Sequence, residues 1–408
     1  MKSVLYLSYT GMTEPLGQSQ VLTYLIGLSN TSQYRFVIVS FEKENTFKEL
    51  VNDVKAICHK AEIEWYPLPY KRKPAVLGPY LNVHRMQKFA QQLHRKYQFS
   101  FVHCRSYLPS LVGLRLKKKY GLPFIFDMRG FWADERVDGG IWNLNKMIYR
   151  ITYHFFKRKE KKFLIAAAHT ISLTNAAKKE ILSWANSSSF SAITVIPCCV
   201  DLSIFNEHII RDDNRNSILN ALKIPFDSFI LCYSGSLGTW YMLDEMLKFF
   251  KELSAKIPNA IFLFLTGEPE EVIFCAATSA SLNHKYLRVL KVPRQKVPEY
   301  LATCNMGIFF CKPVYSKIAS SPVKQGEFMA MGIPVISNSH IGDTAEILNT
   351  LNAGIVITEF TSAAYLDAIH IINNNSFSST EIKNGAKDHF SSEIGVIKYK
   401  GVYETITL

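Results

Sequence analysis

Ser320-Ser-Pro-Val-Lys-Gln-Gly-Glu-Phe-Met-Ala-Met-Gly-Ile-Pro-Val-Ile336 runs from two hydroxyl side chains and a proline through a short helical pattern to a Met-Gly stop. It then enters an apolar run. Proline suits the start of a helix and glycine the position just past its end. Ile333–Ile336 lacks polar alternation, the pattern of a strand covered on both faces. The stretch therefore reads as a helix feeding a buried strand.

The same unit recurs on either side. Ile230–Ser234, Ile261–Thr266, Leu287–Leu290, Met306–Phe310, Ile333–Ser337 and Gly354–Ile357 form one series of short apolar runs separated by helical patterns. An earlier series comprises Ser3–Tyr9, Arg35–Phe41, Glu62–Pro67, Phe101–Cys104, Phe124–Asp127, Thr170–Leu173 and Ala192–Ile196. Pro109–Tyr120 and Asn175–Trp184 are among the helical segments between them. Such alternation predicts parallel sheets with helices on both faces. Polar Asp201–Asn216 separates the series and reads as a linker. The expected division is 1–200, 201–391 and a last helical segment at 392–408 that crosses back to the first unit. A chain of 408 residues fits two doubly wound units.

Composition bounds the function. Apolar residues make up 48% and charged residues 20%, which excludes wholesale disorder. Lys and Arg number 47 against 34 Asp and Glu, a net +13 that calls for an anionic partner. The eight cysteines form no Cys-x-x-Cys pair and read as reduced thiols of a cytoplasmic protein. Met1–Tyr9 turns polar too soon for a signal peptide, and no apolar run approaches ~18 residues.

Ligands of open α/β sheets bind beyond the carboxyl ends of the strands, so the strand-to-helix loops hold the candidates. In Thr10–Gln20, Gly11 and Gly17 let backbone approach a ligand, and Gln18 opens a helix whose free N–H groups favour anions. The bland alternative is a simple turn. In Phe126–Arg136, Asp127 and Arg129 would project to one side if the strand continued; otherwise this is a solvated loop of ion pairs. In Cys232–Tyr241, Gly235 and Ser236 lie in a turn able to seat phosphate, or Thr239 merely caps the next helix. In the opening stretch, Lys324 and Glu327 fall three apart, suited to a nucleoside diphosphate or to an ordinary surface ion pair. The chain has no Asp-x-Asp, His-Glu-x-x-His or Gly-x-Ser-x-Gly; no metal and no other cofactor is expected.

Basic clusters stand at Lys71–Lys73, Lys117–Lys119 and Lys157–Lys162. The last follows Trp142, Met147, Ile148, Tyr149, Ile151, Tyr153, Phe155 and Phe156. This reads equally as an interfacial helix on anionic lipid and as a core helix with a solvated basic end. No nucleic-acid-binding module appears.

Thr194-Val-Ile-Pro-Cys-Cys-Val-Asp-Leu-Ser-Ile-Phe205, Ser320–Ile336 and Ile341-Gly-Asp-Thr-Ala-Glu346 together resemble the family-4 retaining glycosyltransferases. The likeness implies the GT-B fold: two Rossmann-like domains facing a central cleft. It implies transfer of a sugar, of hexose type, from a nucleotide-sugar donor to a glycan or lipid-linked acceptor in cell-envelope polysaccharide assembly. Such an enzyme would be cytoplasmic, or peripheral on the inner membrane face. Glu327 matches the second Glu of the family's Glu-x7-Glu motif, which holds the donor ribose. The first Glu is replaced by Ala319, leaving the sugar contact to backbone of Ile318–Ser321. Arg129 stands where many relatives place a His against the sugar. Ser236 and Tyr241 replace the family's diphosphate-binding Arg and Lys. The expected catalytic set is Asp127, Arg129 and Lys324. The donor-binding set is Gly11, Gly17, Gln18, Gly235, Ser236, Arg294, Ser320, Ser321 and Glu327. The departures leave two alternatives, a non-catalytic GT-B partner protein and a GT-B epimerase or phosphorylase.

Overall fold

The computed structural model describes residues 1–31, 33–71, 77–206 and 212–407. The chain divides into two compact units, Met1–Cys199 with Ser392–Leu408, and Val200–Ser391.

The first unit holds seven strands, β1 (Lys2–Ser8), β2 (Tyr34–Glu42), β3 (Glu64–Pro69), β4 (Phe101–Arg105), β5 (Phe124–Asp127), β6 (His169–Ser172) and β7 (Ile193–Val195). They form one parallel sheet in the order β3-β2-β1-β4-β5-β6-β7. The second unit holds β8 (Ile230–Ser234), β9 (Ile261–Leu265), β10 (Leu287–Leu290), β11 (Met306–Phe309), β12 (Val335–Asn338) and β13 (Gly354–Ile357). Their order is β10-β9-β8-β11-β12-β13, again all parallel. Strands such as Ile261-Phe-Leu-Phe-Leu265 are buried along their whole length, as helices on both sheet faces require. Each order reverses once, between β1 and β4 and between β8 and β11. Ligands of doubly wound sheets bind at that reversal, past the strand ends. The loops after Ser8, Arg105, Ser234 and Phe309 are thereby singled out.

The helix Ser392–Thr407 belongs to the first unit. Its Tyr399, Val402 and Tyr403 join a core with Tyr6, Phe101 and Ile125 of the sheet. Lys2 Nζ closes its end by donating to the Thr407 carbonyl at 2.9 Å.

Three expectations change. The helical stretch after β1 opens at Pro15, and the Gln18 N–H already donates to the Glu14 carbonyl at 3.1 Å. Gln18 therefore offers no free amide at a helix start. The stretch read as a linker contains the start of a helix, Asp212–Ala221, while 207–211 lie outside the described residues. The strand expected from Ile333 begins at Val335, because Pro334 has no N–H to donate; its carbonyl still accepts from Gly307. Of the first basic cluster, Arg72 and Lys73 also lie outside the described residues.

Candidate active site

The loop after β1 is organised by a residue that glycine spacing does not reveal. Glu42, at the end of β2, is buried. Its carboxylate accepts from the Met12 N–H at 2.8 Å, the Thr13 N–H at 3.1 Å and the Thr13 hydroxyl at 2.6 Å. A Cβ on Gly11 would lie 2.5 Å from Glu42 Oε2, and one on Gly17 only 1.9 Å from the Gly11 carbonyl oxygen. Both glycines are thus demanded by close packing. In the loop expected to approach a ligand at Gly11 and Gly17, the Met12 and Thr13 amides face the protein's own carboxylate.

At the ends of β4 and β5 the parallel register gathers a charge cluster. Tyr6 pairs with His103, and Arg105 with Asp127. Alternation puts His103 and Arg105 on one face, and that face is covered by Tyr399 and Tyr403. Asp127 Oδ2 lies 3.4 Å from His103 Nε2, 3.4 Å from the Tyr399 hydroxyl and 3.7 Å from Arg105 Nη1. Burial pushes the His103 imidazole down despite Asp127 beside it. A neutral ring with its proton on Nε2 donates toward Asp127 and accepts at Nδ1 from the Tyr403 hydroxyl at 2.8 Å. Burial would raise the Asp127 carboxyl, but Arg129, His103 and Arg105 outweigh it and hold it below the usual carboxylate range.

Arg129 does not continue the strand. Its φ is +54°, and the turn carries its guanidinium back to 3.9 Å from Asp127 Oδ1 and 3.2 Å from Cys198 Sγ. Its side chain is largely covered, 9% exposed, rather than solvated. With His103 neutral, two guanidinium groups share one carboxylate, leaving a surplus positive charge. Arg105 Nη1, Arg129 Nη1 and Asp127 Oδ1 are buried with no hydrogen-bond partner.

In the second unit, β8 ends at Ser234 and the chain turns at Gly235 with φ +108°, a conformation suited to glycine. Ser236 is exposed, and its carbonyl accepts from the Tyr233 hydroxyl at 2.7 Å. The next helix begins at Leu243 without a side-chain cap, so Thr239 is not its cap. The helix Val323–Ala330 places Lys324 in its first turn, with half-buried Ser320 and Ser321 just before it. Lys324 and Glu327 are not a surface ion pair, since both are buried. Glu327 Oε1 is held by Arg294 Nη1 at 2.8 Å, from the turn that follows β10. The Lys324 ammonium donates to the Tyr233 hydroxyl at 2.7 Å and lies 3.9 and 3.4 Å from the ring centres of Tyr233 and Tyr241. A Cβ on Gly235 would stand 3.6 Å from its Nζ. Burial pushes this amine well below the usual lysine range, with Glu327 only partly offsetting it.

The structure therefore brings Gly235 to Lys324 and Arg294 to Glu327 in one unit, and Asp127 to Arg129 and Gly11 to Gly17 in the other. His103, Arg105, Tyr399, Glu42 and Tyr233 were not foreseen. A usable signal existed for two of them. His103 and Arg105 are polar residues two apart at the end of an apolar strand, and so share a face.

The chain matches the family model for Glycosyltransferase Family 4 over residues 17–204 and the model for Glycosyl transferases group 1 over residues 214–389. No curated protein sequence matches it significantly. Its fold is similar to the sucrose-phosphate synthase of Thermosynechococcus elongatus, with TM-score 0.74, 15% identity, and 100% and 99% of the two chains covered. It is similar to Anabaena HepE in complex with UDP and glucose, with TM-score 0.70, 12% identity, and 99% and 100% covered. It also resembles a putative UDP-N-acetylglucosamine 2-epimerase of Listeria monocytogenes, with TM-score 0.58, 11% identity, and 99% and 96% covered. At these identities the structural likenesses speak for the fold alone, while the two family models between them span most of the chain. With its two parallel-sheet units, the chain belongs to the family-4, group 1 glycosyltransferases of GT-B fold.

Proposed function

We propose that the enzyme takes its sugar from a nucleoside diphosphate sugar, retains the anomeric configuration, and delivers it to a glycan or lipid-linked acceptor in cell-envelope polysaccharide assembly. The observation that carries the donor reading is Lys324, a buried amine with no carboxylate within 4 Å among the described residues, set beside the turn at Gly235. A diphosphate at that turn supplies the missing countercharge. The complex of Anabaena HepE with UDP and glucose supports the same donor class.

In this reading Arg294 fixes Glu327, whose carboxylate accepts the ribose hydroxyls. Backbone of Ile318–Ser321 contacts the sugar in place of the glutamate that Ala319 replaces. As the glycosidic bond lengthens, charge grows on the diphosphate, and Lys324 stabilises it. No metal is needed for that step. On the acceptor side, Asp127 orients Arg129, and Arg105 and Arg129 supply the surplus positive charge described above. Incubation with radiolabelled nucleoside diphosphate sugars tests the reading. Acceptor-dependent transfer with release of the nucleoside diphosphate supports it. Conversion of the nucleotide sugar without acceptor would make the protein an epimerase, and a requirement for inorganic phosphate a phosphorylase.

A further inference from the structure

The helix Met147–Ala166 has two chemically distinct faces. Inward, Phe156, Phe163 and Leu164 are buried. Lys157, expected among the docking cations, also turns inward. It pairs with Asp134 at 2.8 Å and Glu160 at 2.6 Å and stands 5.0 Å from the Trp184 ring centre. Trp142 packs on Phe156, and Tyr153 donates to Asp134 at 2.9 Å. These residues belong to the fold.

Outward, Ile148, Ile151 and Phe155 are 54%, 61% and 43% exposed. Spacings of three and four place them on one stripe. Ile151 and Phe155 share a groove of about 490 Å³ with Arg150, Arg158, Lys159 and Lys162. No carboxylate lines it. Glu160, the acidic residue of this helix, is buried on the other face. Burial and the neighbouring Lys162, Arg115 and Lys118 all push the Lys159 amine down, so the cations here repel one another. Among the described residues no helix is long and apolar enough to cross a membrane.

We infer that this face docks on an anionic phospholipid surface, with Ile148, Ile151 and Phe155 entering the headgroup layer and Arg150, Arg158, Lys159 and Lys162 taking lipid phosphates. Apolar tips set among cations match an amphipathic interface helix. A nucleic-acid surface would use the cations and leave the three apolar side chains in water. The inference deepens the reading of a lipid-linked acceptor, because a docked enzyme meets such an acceptor where it resides.

Flotation with vesicles tests it without measuring turnover. The full chain is expected to float with phosphatidylglycerol/phosphatidylcholine vesicles, to float at least tenfold less with pure phosphatidylcholine, and to be released by salt. Each basic residue near anionic lipid contributes about fivefold, so changing Arg150, Arg158, Lys159 and Lys162 to Gln should weaken binding by roughly several hundredfold. Changing Ile151 and Phe155 to Ser should weaken it by roughly tenfold or more. The altered side chains are exposed, apart from half-buried Lys159 at the groove, so the circular dichroism and melting of both variants should match the parent's. Free glycerol phosphate at millimolar concentration should not compete. A parent that fails to float with anionic vesicles overturns the inference. So do equal flotation of the arginine–lysine variant, displacement by glycerol phosphate, or preference for single-stranded DNA over vesicles. A protein that floats but transfers no sugar keeps the docking face and removes the transferase reading.

Discussion

Replacing Lys324 with Met removes a charge while keeping a chain of similar length. In the structure the amine has one hydrogen bond, to Tyr233 at 2.7 Å, and two aromatic faces within 4 Å. Desolvation holds it well below the usual lysine range. A diphosphate beside Gly235 pulls it back up, so binding takes up as much as one proton per site. Two consequences have definite sign. Affinity for nucleoside diphosphate should fall as pH rises through the value of the unliganded amine, by at most tenfold per unit. The variant should lose that dependence. A hydrogen bond to a charged group contributes about 1.5–3 kcal/mol, so the variant should bind nucleoside diphosphate roughly 10–150-fold more weakly. Binding of the monophosphate should change much less. If Lys324 also stabilises the leaving group, kcat/KM falls by about 10²–10³-fold. Without ligand, the variant should melt at or above the parent's temperature, because an uncompensated buried amine opposes folding. Isothermal titration calorimetry in Tris and MES reads affinity and proton uptake together. No proton uptake by the parent, or equal weakening of mono- and diphosphate, refutes the reasoning.

Glu327→Ala should weaken nucleotide binding by about 10–150-fold, the loss expected for hydrogen bonds to a carboxylate; fluorescence titration of a well-folded variant with unchanged affinity would remove Glu327 from the ribose. Asp127→Asn leaves Arg105 and Arg129 buried without their carboxylate and should cost about 3–5 kcal/mol of stability at pH 7 by urea unfolding. The depressed Asp127 carboxyl stabilises above its unfolded value near pH ~3.9. That contribution disappears as pH falls through the lower folded value, so parent and variant should converge in acid. Glu42→Ala strips the Met12 and Thr13 amides of their acceptor and should cost about 1–3 kcal/mol, read in the same unfolding experiment. Turnover should persist in EDTA; abolition by chelator with recovery on adding Mg²⁺ or Mn²⁺ would show that Lys324 does not carry the leaving-group charge.

Much of the architecture was legible because buried parallel strands are short, apolar and regularly spaced. Ile230–Ser234, Leu287–Leu290 and Gly354–Ile357 begin and end where their composition says. Boundaries shifted where the hydrogen-bond inventory overrode hydropathy, as at Pro334. The candidate site was legible only in part. Gly235 lies in a strand-to-helix loop and Lys324 and Glu327 in the short helix Val323–Ala330, stretches whose local chemistry is unusual. Their partners Tyr233 and Arg294 come from other strand ends, and nothing in local spacing joins Arg294 to Glu327 across 33 positions. Glu42 was invisible for the same reason, since it meets the glycine loop only through the pairing of β1 with β2. Arg129 was misplaced because a positive φ at a non-glycine residue has no sequence signature. The basic aromatic helix read two ways because 3.6-residue periodicity shows that faces differ but not which one is covered.

Time-resolved proton NMR of the sugar's anomeric signal, recorded while the enzyme consumes a panel of nucleoside diphosphate sugars, measures the proposed chemistry most directly. An α-linked donor should give a product whose first-formed anomer is also α, with stoichiometric release of nucleoside diphosphate and loss of both signals in Lys324→Met. A β product formed first, or an altered sugar still attached to its nucleotide, would contradict retaining transfer from a nucleotide-sugar donor.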